Sequence, residues 1–198
     1  MVEKAPIMDN VIYFDGTVAS DPANEKFLHN EFGVNYRFGK LGLNASAYNT
    51  DWQDRNLTKS VTTGQGDSGD TDVIFLTGVN QKHSGVELET NYMVNDMLDL
   101  MFVASFGNWK FDGDANGNYQ ETEYNSEGQA VGYKTTEYAY ALDGLYVGDM
   151  PQTSYVLGVT LKPIKDLRIQ AIHKMYDKNY SDWSPSAREF DGTNDDAD

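Results

Sequence analysis

The chain has 198 residues, a formal net charge of −16, 13 tyrosines and no cysteine. The absence of thiols excludes a disulfide scaffold, a thiolate zinc site and a cysteine nucleophile, and the charge excludes nucleic acid as a partner, because phosphate demands a positive field. Mean hydropathy is −0.58 with 13 % aromatics, and since disordered acidic chains lack such rings, the composition points to a β protein with large wet loops.

The opening, MVEKAPIMDN, has no apolar core of the signal-peptide kind, and no stretch approaches the roughly 20 apolar residues of a spanning helix. A first pair of strands is predicted over about 27–52. Phe32, Val34, Tyr36 and Phe38 alternate with Glu31, Gly33, Asn35 and Arg37; after Gly39-Lys40, Leu41, Leu43, Ala45 and Ala47 alternate with Gly42, Asn44 and Ser46. A two-residue turn at 39–40 sets Phe38 opposite Leu41, so turn and pattern agree on register. About thirty polar residues follow, far beyond the usual loop of roughly 4–6, and the stretch 53–83 is expected to be a long loop.

The second pair is expected over 84–111. Val86, Leu88, Thr90 and Tyr92 alternate with Glu87, Glu89 and Asn91, a three-residue loop at 95–97 pairs Val94 with Leu98, and Leu98, Leu100, Phe102, Ala104 and Phe106 share a face. Residues 112–152 form a second expected loop, which opens on DGDANGNYQETE. Asp112, Asp114, Asn116 and Glu123 stand in the order of an EF-hand calcium loop, with Gly117 at the turn position. Asn108 to Phe111 before it end a strand pattern and Tyr124 to Gly128 after it read as a turn, not as the two helices of an EF-hand, so a calcium ion bound here is structural. No other cofactor is expected, and calcium is not required. The third pair lies over 153–177: Tyr155, Leu157, Val159 and Leu161 form a face, Lys162 to Asp166 turn the chain, and Leu167, Ile169 and Ala171 continue the face against Arg168, Gln170 and Lys174.

Tight turns on one side, long loops on the other and strands of about ten residues are the wiring of a transmembrane barrel, whose tilted strands take about 9–11 residues to cross. The expected fold is therefore all-β: one domain over 1–198, an antiparallel up-and-down meander of about six long strands forming part of a transmembrane β-barrel. The apolar face meets lipid and the polar face meets water. Tyr48, Trp52, Tyr92, Trp109, Phe111, Tyr155, Tyr176 and Tyr180 are the expected interfacial girdles. Six strands are too few to close such a barrel, so the chain is expected to be a piece of a longer one.

NEKFLHNEFGVNYRF, LGLNASAYNTDWQDRN, NQKHSGVELETNY, LDLMFVASFGNWKF and YVGDMPQTSYVLGVTL together resemble the TonB-dependent outer-membrane receptors, over about residues 24–183. GVELE and YVGDMPQTS are the more particular matches. The resemblance implies a 22-stranded barrel in the outer membrane of a Gram-negative bacterium, filled by a plug domain. An inner-membrane energy-coupling complex pulls on that plug, and the ligand is a small nutrient: an iron chelate, cobalamin or a glycan. Only late barrel strands are matched here. A porin or adhesin barrel, and a soluble β-sandwich with a calcium- or carbohydrate-binding role, are the alternatives.

Tyr119, Tyr124, Tyr133, Tyr138, Tyr140 and Tyr146 are the candidate ligand contacts, flat amphipathic rings among Asp, Asn and Gln. His29, His83 and His173 lie on three separate strands without metal-site spacing and are expected in the girdle or lumen. Glu87 and Glu89, two apart on one strand face, read as lumen lining rather than a glycosidase pair, whose carboxyls flank a substrate from separate elements. No catalytic constellation is found, and no enzymatic step is expected.

Overall fold

The computed structural model describes residues 1–19, 22–63 and 70–190. Their strands are β1 (Val2–Lys4), β2 (Glu25–Phe38), β3 (Leu41–Thr63), β4 (Asp70–Asn95), β5 (Leu98–Phe111), β6 (Ala115–Tyr124), β7 (Ala130–Tyr140), β8 (Pro151–Ile164), β9 (Leu167–Asn179) and β10 (Glu189–Phe190). They form a single antiparallel sheet. Its main path is β1-β2-β3-β4-β5-β8-β9; β6 pairs with β4 and β7, and β7 also pairs with β10. The six long strands of the main path, β2 to β5 with β8 and β9, are the expected meander.

Register follows the alternation. Phe38 lies opposite Leu41 across the Gly39–Lys40 turn, and Gly39 takes a φ of +55°, which a glycine adopts without steric cost. The other two turns are tighter than expected. Asn95, not Val94, faces Leu98, and a bulge between Met93 and Asn95 restores the pairing of Tyr92 with Leu100. The side chain of Asn95 accepts the Met97 N–H at 2.8 Å, which closes a two-residue turn. At the third turn Ile164 pairs with Leu167, so the turn is Lys165–Asp166 and Lys162 and Pro163 belong to β8. The three turns are neighbours at one end of the sheet: Met93 N–H donates to Lys40 C=O at 2.9 Å, and Lys162 N–H to Met97 C=O at 2.8 Å.

Because cross-strand partners share a face, the registers assemble whole rows. Tyr36, Leu43, Thr90, Phe102, Leu157 and His173 form one row across β2 to β9. Asn35, Asn44, Glu89, Val103, Val156 and Lys174 form the adjacent row on the opposite face. The apolar rows run on β5 from Leu98 to Phe106, about the length a tilted strand needs to cross hydrocarbon. Asn30, Asn49, Ser84 and Asn108 make the next row on that face, and there the apolar band stops. Phe32 is 74 % exposed and Phe38 72 %. Leu43, Leu88, Phe102, Leu157 and Ile169 lie on this same open face and do not converge on a dry interior. The soluble sandwich is thereby excluded, since a sandwich buries one face of each sheet.

The stretches 53–83 and 112–152 are corrected from loop to largely paired strand. β3 and β4 continue together as far as Thr63 and Asp70. Beyond the end of β5, the β6–β7 hairpin takes its place beside β4, with Val73–Thr77 against Gln120–Asn116. Register shifts between Trp52, Arg55 and Leu57 break the alternation. Asp54 at φ +58° and Gly78 at φ +69° lie in the same region. Bulges of this kind bend and re-aim strands.

The buried core lies in this outer extension, not between the spanning strands. Ile74, Leu76, Val79, Phe111, Ala115, Tyr140 and Leu142 pack together, and Leu57, Tyr119, Tyr138, Leu145, Val147 and Trp183 close around them. A strap from the start of the chain covers the opposite side of the extension. Asn10 Nδ2 donates to Asn56 C=O at 2.7 Å, Asn118 Nδ2 to the Tyr13 hydroxyl at 2.7 Å, and Phe14 N–H to Gln120 Oε1 at 2.9 Å. Tyr13 and Phe14 meet Phe75 edge-on, at 4.8 and 6.0 Å.

Candidate functional site

The six candidate tyrosines are distributed through the outer extension rather than gathered in one patch. Tyr140 is fully buried in the core and meets Trp183 at 5.7 Å, so its ring is packing material. Tyr119 and Tyr138 meet edge-on at 6.3 Å on the margin of that core, and the Tyr119 hydroxyl donates to Asp72 at 2.7 Å. Tyr124 and Tyr133 are exposed on the β6–β7 hairpin, and Tyr133 meets Phe14 of the strap at 5.5 Å. Tyr146 stacks on Tyr180 at 4.1 Å with planes 2° apart, and Lys110 Nζ lies 4.7 Å from its centroid.

The calcium-like residues are drawn apart. Asn116 and Glu123 belong to one extended strand, so they cannot wrap a common ion as positions 5 and 12 of an EF-hand do. Asp112 pairs with Lys82 at 2.8 Å, and the hydrogen bond raises the Lys82 pKa. Asp114 Oδ1 accepts the N–H groups of Leu142 and Asp143 at 3.0 and 3.1 Å, while Asp143 accepts from Gly113 N–H. These carboxylates stitch the base of the β6–β7 hairpin to the return segment. Among the described residues, no group of three His, Cys, Asp or Glu is placed to hold a metal ion.

The girdle expectation needs correction strand by strand. Tyr92 and Tyr155 lie on the apolar face, but Tyr48, Trp52, Trp109, Phe111 and Tyr176 lie on the polar one. The reason is parity: the lipid-facing set of β3 is odd-numbered and that of β5 even-numbered, opposite to these rings. His29 and His83 also lie on the polar face, whereas His173 of β9 sits mid-band on the apolar face opposite Leu157 of β8. Glu31, Glu87 and Glu89, with Asn35, Asn44 and Ser105, line an open concavity of about 430 Å³.

Above these carboxylates, and just beyond the level where the apolar band stops, aromatic rings cover the polar wall. Phe27 and Trp52 meet at 4.6 Å, His83 and Trp109 at 5.5 Å, and His29 and Tyr48 at 6.4 Å. Arg55 lies 3.5 Å over the Trp52 ring, its pKa lowered by burial against a smaller opposing effect of Glu25. Buried Glu25 accepts the Trp52 indole N–H at 3.1 Å and pairs with Lys4 at 3.5 Å. Gln152, also buried, clamps the wall's outer rim: its Oε1 accepts Trp109 N–H at 2.9 Å, and its Nε2 donates to Trp109 C=O at 2.9 Å and Val147 C=O at 3.2 Å. The alternation within β3 and β5 is the sequence signal that places Tyr48 and Trp109 inward, away from lipid.

The family model described as TonB dependent receptor-like, beta-barrel matches the chain over residues 6–197. No curated protein and no solved structure matches it.

Proposed function

We infer the function from one premise: the chain belongs to the TonB-dependent receptor-like β-barrel family. It is accordingly an outer-membrane β-barrel protein of a Gram-negative bacterium with a receptor and transport role. We propose that the complete receptor binds a small nutrient, an iron chelate, cobalamin or a glycan, on its outer side and imports it without an enzymatic step. The polar face of β2–β5 lines the lumen and meets the plug domain. Energy comes from the inner-membrane complex that pulls on that plug.

The observation that carries this reading is the segregation of faces. Apolar rows from Leu98 to Phe106 end at a row of Asn and Ser, while the opposite face holds Glu31, Glu87, Glu89 and Lys174. Such a sheet is stable only with hydrocarbon on one side and water or protein on the other. The outer extension, with its own core, supplies a rigid support for ligand contacts. Exposed Tyr124 and Tyr133, with Tyr146, are the outer rings placed to meet a ligand, whereas Tyr119, Tyr138 and Tyr140 hold the extension together.

Uptake of radiolabelled ferric chelate, cobalamin and oligosaccharide by cells with and without the complete gene tests the proposal. Uptake lost on deletion, restored by the gene and abolished by a protonophore is the expected result. Uptake that persists under the protonophore would turn the reading toward a passive porin.

A further inference from the structure

Two rings on the polar wall lie against the sheet instead of standing out from it. Tyr48 crosses β4 at Gly85, where a Cβ would meet the Tyr48 hydroxyl oxygen at 2.5 Å. Trp109 lies over Gly107, where a Cβ would sit 2.9 Å from the indole nitrogen. The two rings are joined edge to edge, Trp109 Nε1–H donating to the Tyr48 hydroxyl at 2.9 Å. His29 lies within 27° of the plane of Tyr48, and His83 within 19° of the plane of Trp109. Four rings from β2, β3, β4 and β5 thus gather into an aromatic ledge across strands about 4.8 Å apart. His29 is exposed and the other three are half-buried, which leaves ring surface open on the polar side.

Carboxylates stand beside this ledge. Glu31 is the cross-strand partner of Tyr48, and Glu87 stands two residues from Gly85; both are exposed. Gln81 Oε1 lies 3.1 Å from His83 Nε2. Of the nearby cations, Arg55 lies over the Trp52 ring and Lys4 pairs with Glu25. The ledge therefore offers flat apolar surface with two exposed carboxylates beside it.

We propose that this ledge binds a neutral oligosaccharide, so that the imported nutrient is a glycan and not an anionic chelate. The inference rests on the receptor reading and narrows it. The C–H face of a pyranose is apolar and stacks on a ring face, while its hydroxyl groups donate to carboxylates in charge-assisted hydrogen bonds. An anion in the same place meets the carboxylates of Glu31 and Glu87, whose like charge repels it. The glycines and the Tyr48–Trp109 hydrogen bond fix the rings before any ligand arrives, which lowers the ordering cost of binding.

Calorimetry on the complete receptor in detergent tests this with two sets of probes: linear neutral hexasaccharides of glucose, xylose, mannose and arabinose, and ferric tris-catecholate with cobalamin. At least one saccharide is expected to bind, and Trp109→Leu and Tyr48→Leu each to weaken it by roughly tenfold or more. Trp109→Phe keeps a ring in place, guards against loss of fold and is expected to retain most of the affinity. Binding of ferric tris-catecholate or cobalamin with no saccharide bound overturns the ledge while leaving the receptor reading intact. Saccharide binding that is indifferent to Trp109→Leu also overturns it. A receptor that neither binds nor imports any of the probes defeats both readings.

Discussion

Trp109 donates its indole N–H to the Tyr48 hydroxyl at 2.9 Å, directly over the position where Gly85 has no side chain. A Cβ at Gly85 would also come within 2.7 Å of the Phe106 carbonyl oxygen, which is backbone and cannot rotate away. Gly85→Ala is therefore expected to destabilise the barrel by about 1–3 kcal/mol. Gly42→Ala is the control, since its Cβ meets only the Asn91 carbonyl at 3.8 Å, and it is expected to be near neutral. Thermal unfolding of the complete receptor in detergent measures both. Tyr48→Ala in the Gly85→Ala background recovers only part of the loss, because the Phe106 clash remains.

The contact also shows what alternation can and cannot convey. Period 2 places Phe102 and Leu157 on one face and Glu89 on the other, and the registers agree with it. The same parity turns Tyr48 and Trp109 inward, but treating rings near strand ends as lipid girdle overrides it. The outer halves of β3 and β4 are harder to see, because bulges near Asp54 and Gly78 shift the phase partway along each strand. The outer core is not legible at all. Ile74, Phe111, Tyr140 and Trp183 come from separate segments, and no local period links them. Asp112 and Asp114 show the converse: a convincing local order of ligands whose later members a strand carries away.

Tyr140 sits at the centre of that outer core, fully buried against Trp183 and close to Gly117. Truncating a buried ring of this size typically costs about 3–5 kcal/mol. In Tyr140→Ala the loss is expected to fall on the outer extension, because this core is built from β6, β7 and the parts of β3, β4 and β5 that lie beyond the apolar band. Protease added to intact cells should then cut the β6–β7 hairpin near its Asn125–Gln129 turn, while the barrel keeps its heat-modifiable mobility on gels. Equal sensitivity of wild type and variant would show that the core is not what holds the extension.

His83 lies just beyond the apolar band, beside Trp52, Trp109 and Gln81. Burial, and then the charge of Arg55, hold its pKa below its ordinary value of 6.5. The unfolded chain thus binds this proton at higher pH than the folded one. The His83 contribution is complete above about pH 6.5 and declines as pH falls, until the folded imidazole is protonated as well. Unfolding midpoints compared at pH 8 and pH 5 should drop more in wild type than in His83→Phe. An identical drop in the two proteins assigns the acid sensitivity to other groups.

Val156 and Leu157 are neighbours in β8 at the middle of the band, and they bear on the face assignment most directly. Leu157 shares its row with Phe102 and His173, while Val156 shares its row with Val103 and Lys174. An arginine facing hydrocarbon at mid-depth costs about 2–4 kcal/mol, whereas lumen substitutions are tolerated. Leu157→Arg is therefore expected to lower the denaturation midpoint in lipid vesicles by that much, and Val156→Arg by well under half of it, since its guanidinium reaches the water and carboxylates of the polar wall. His173 gives an internal comparison, because His173→Leu removes a polar group from the lipid-facing row and is expected to stabilise the barrel. If Val156→Arg proves the more costly of the pair, the two faces of the sheet have been exchanged, and the aromatic wall of Tyr48 and Trp109 faces lipid after all.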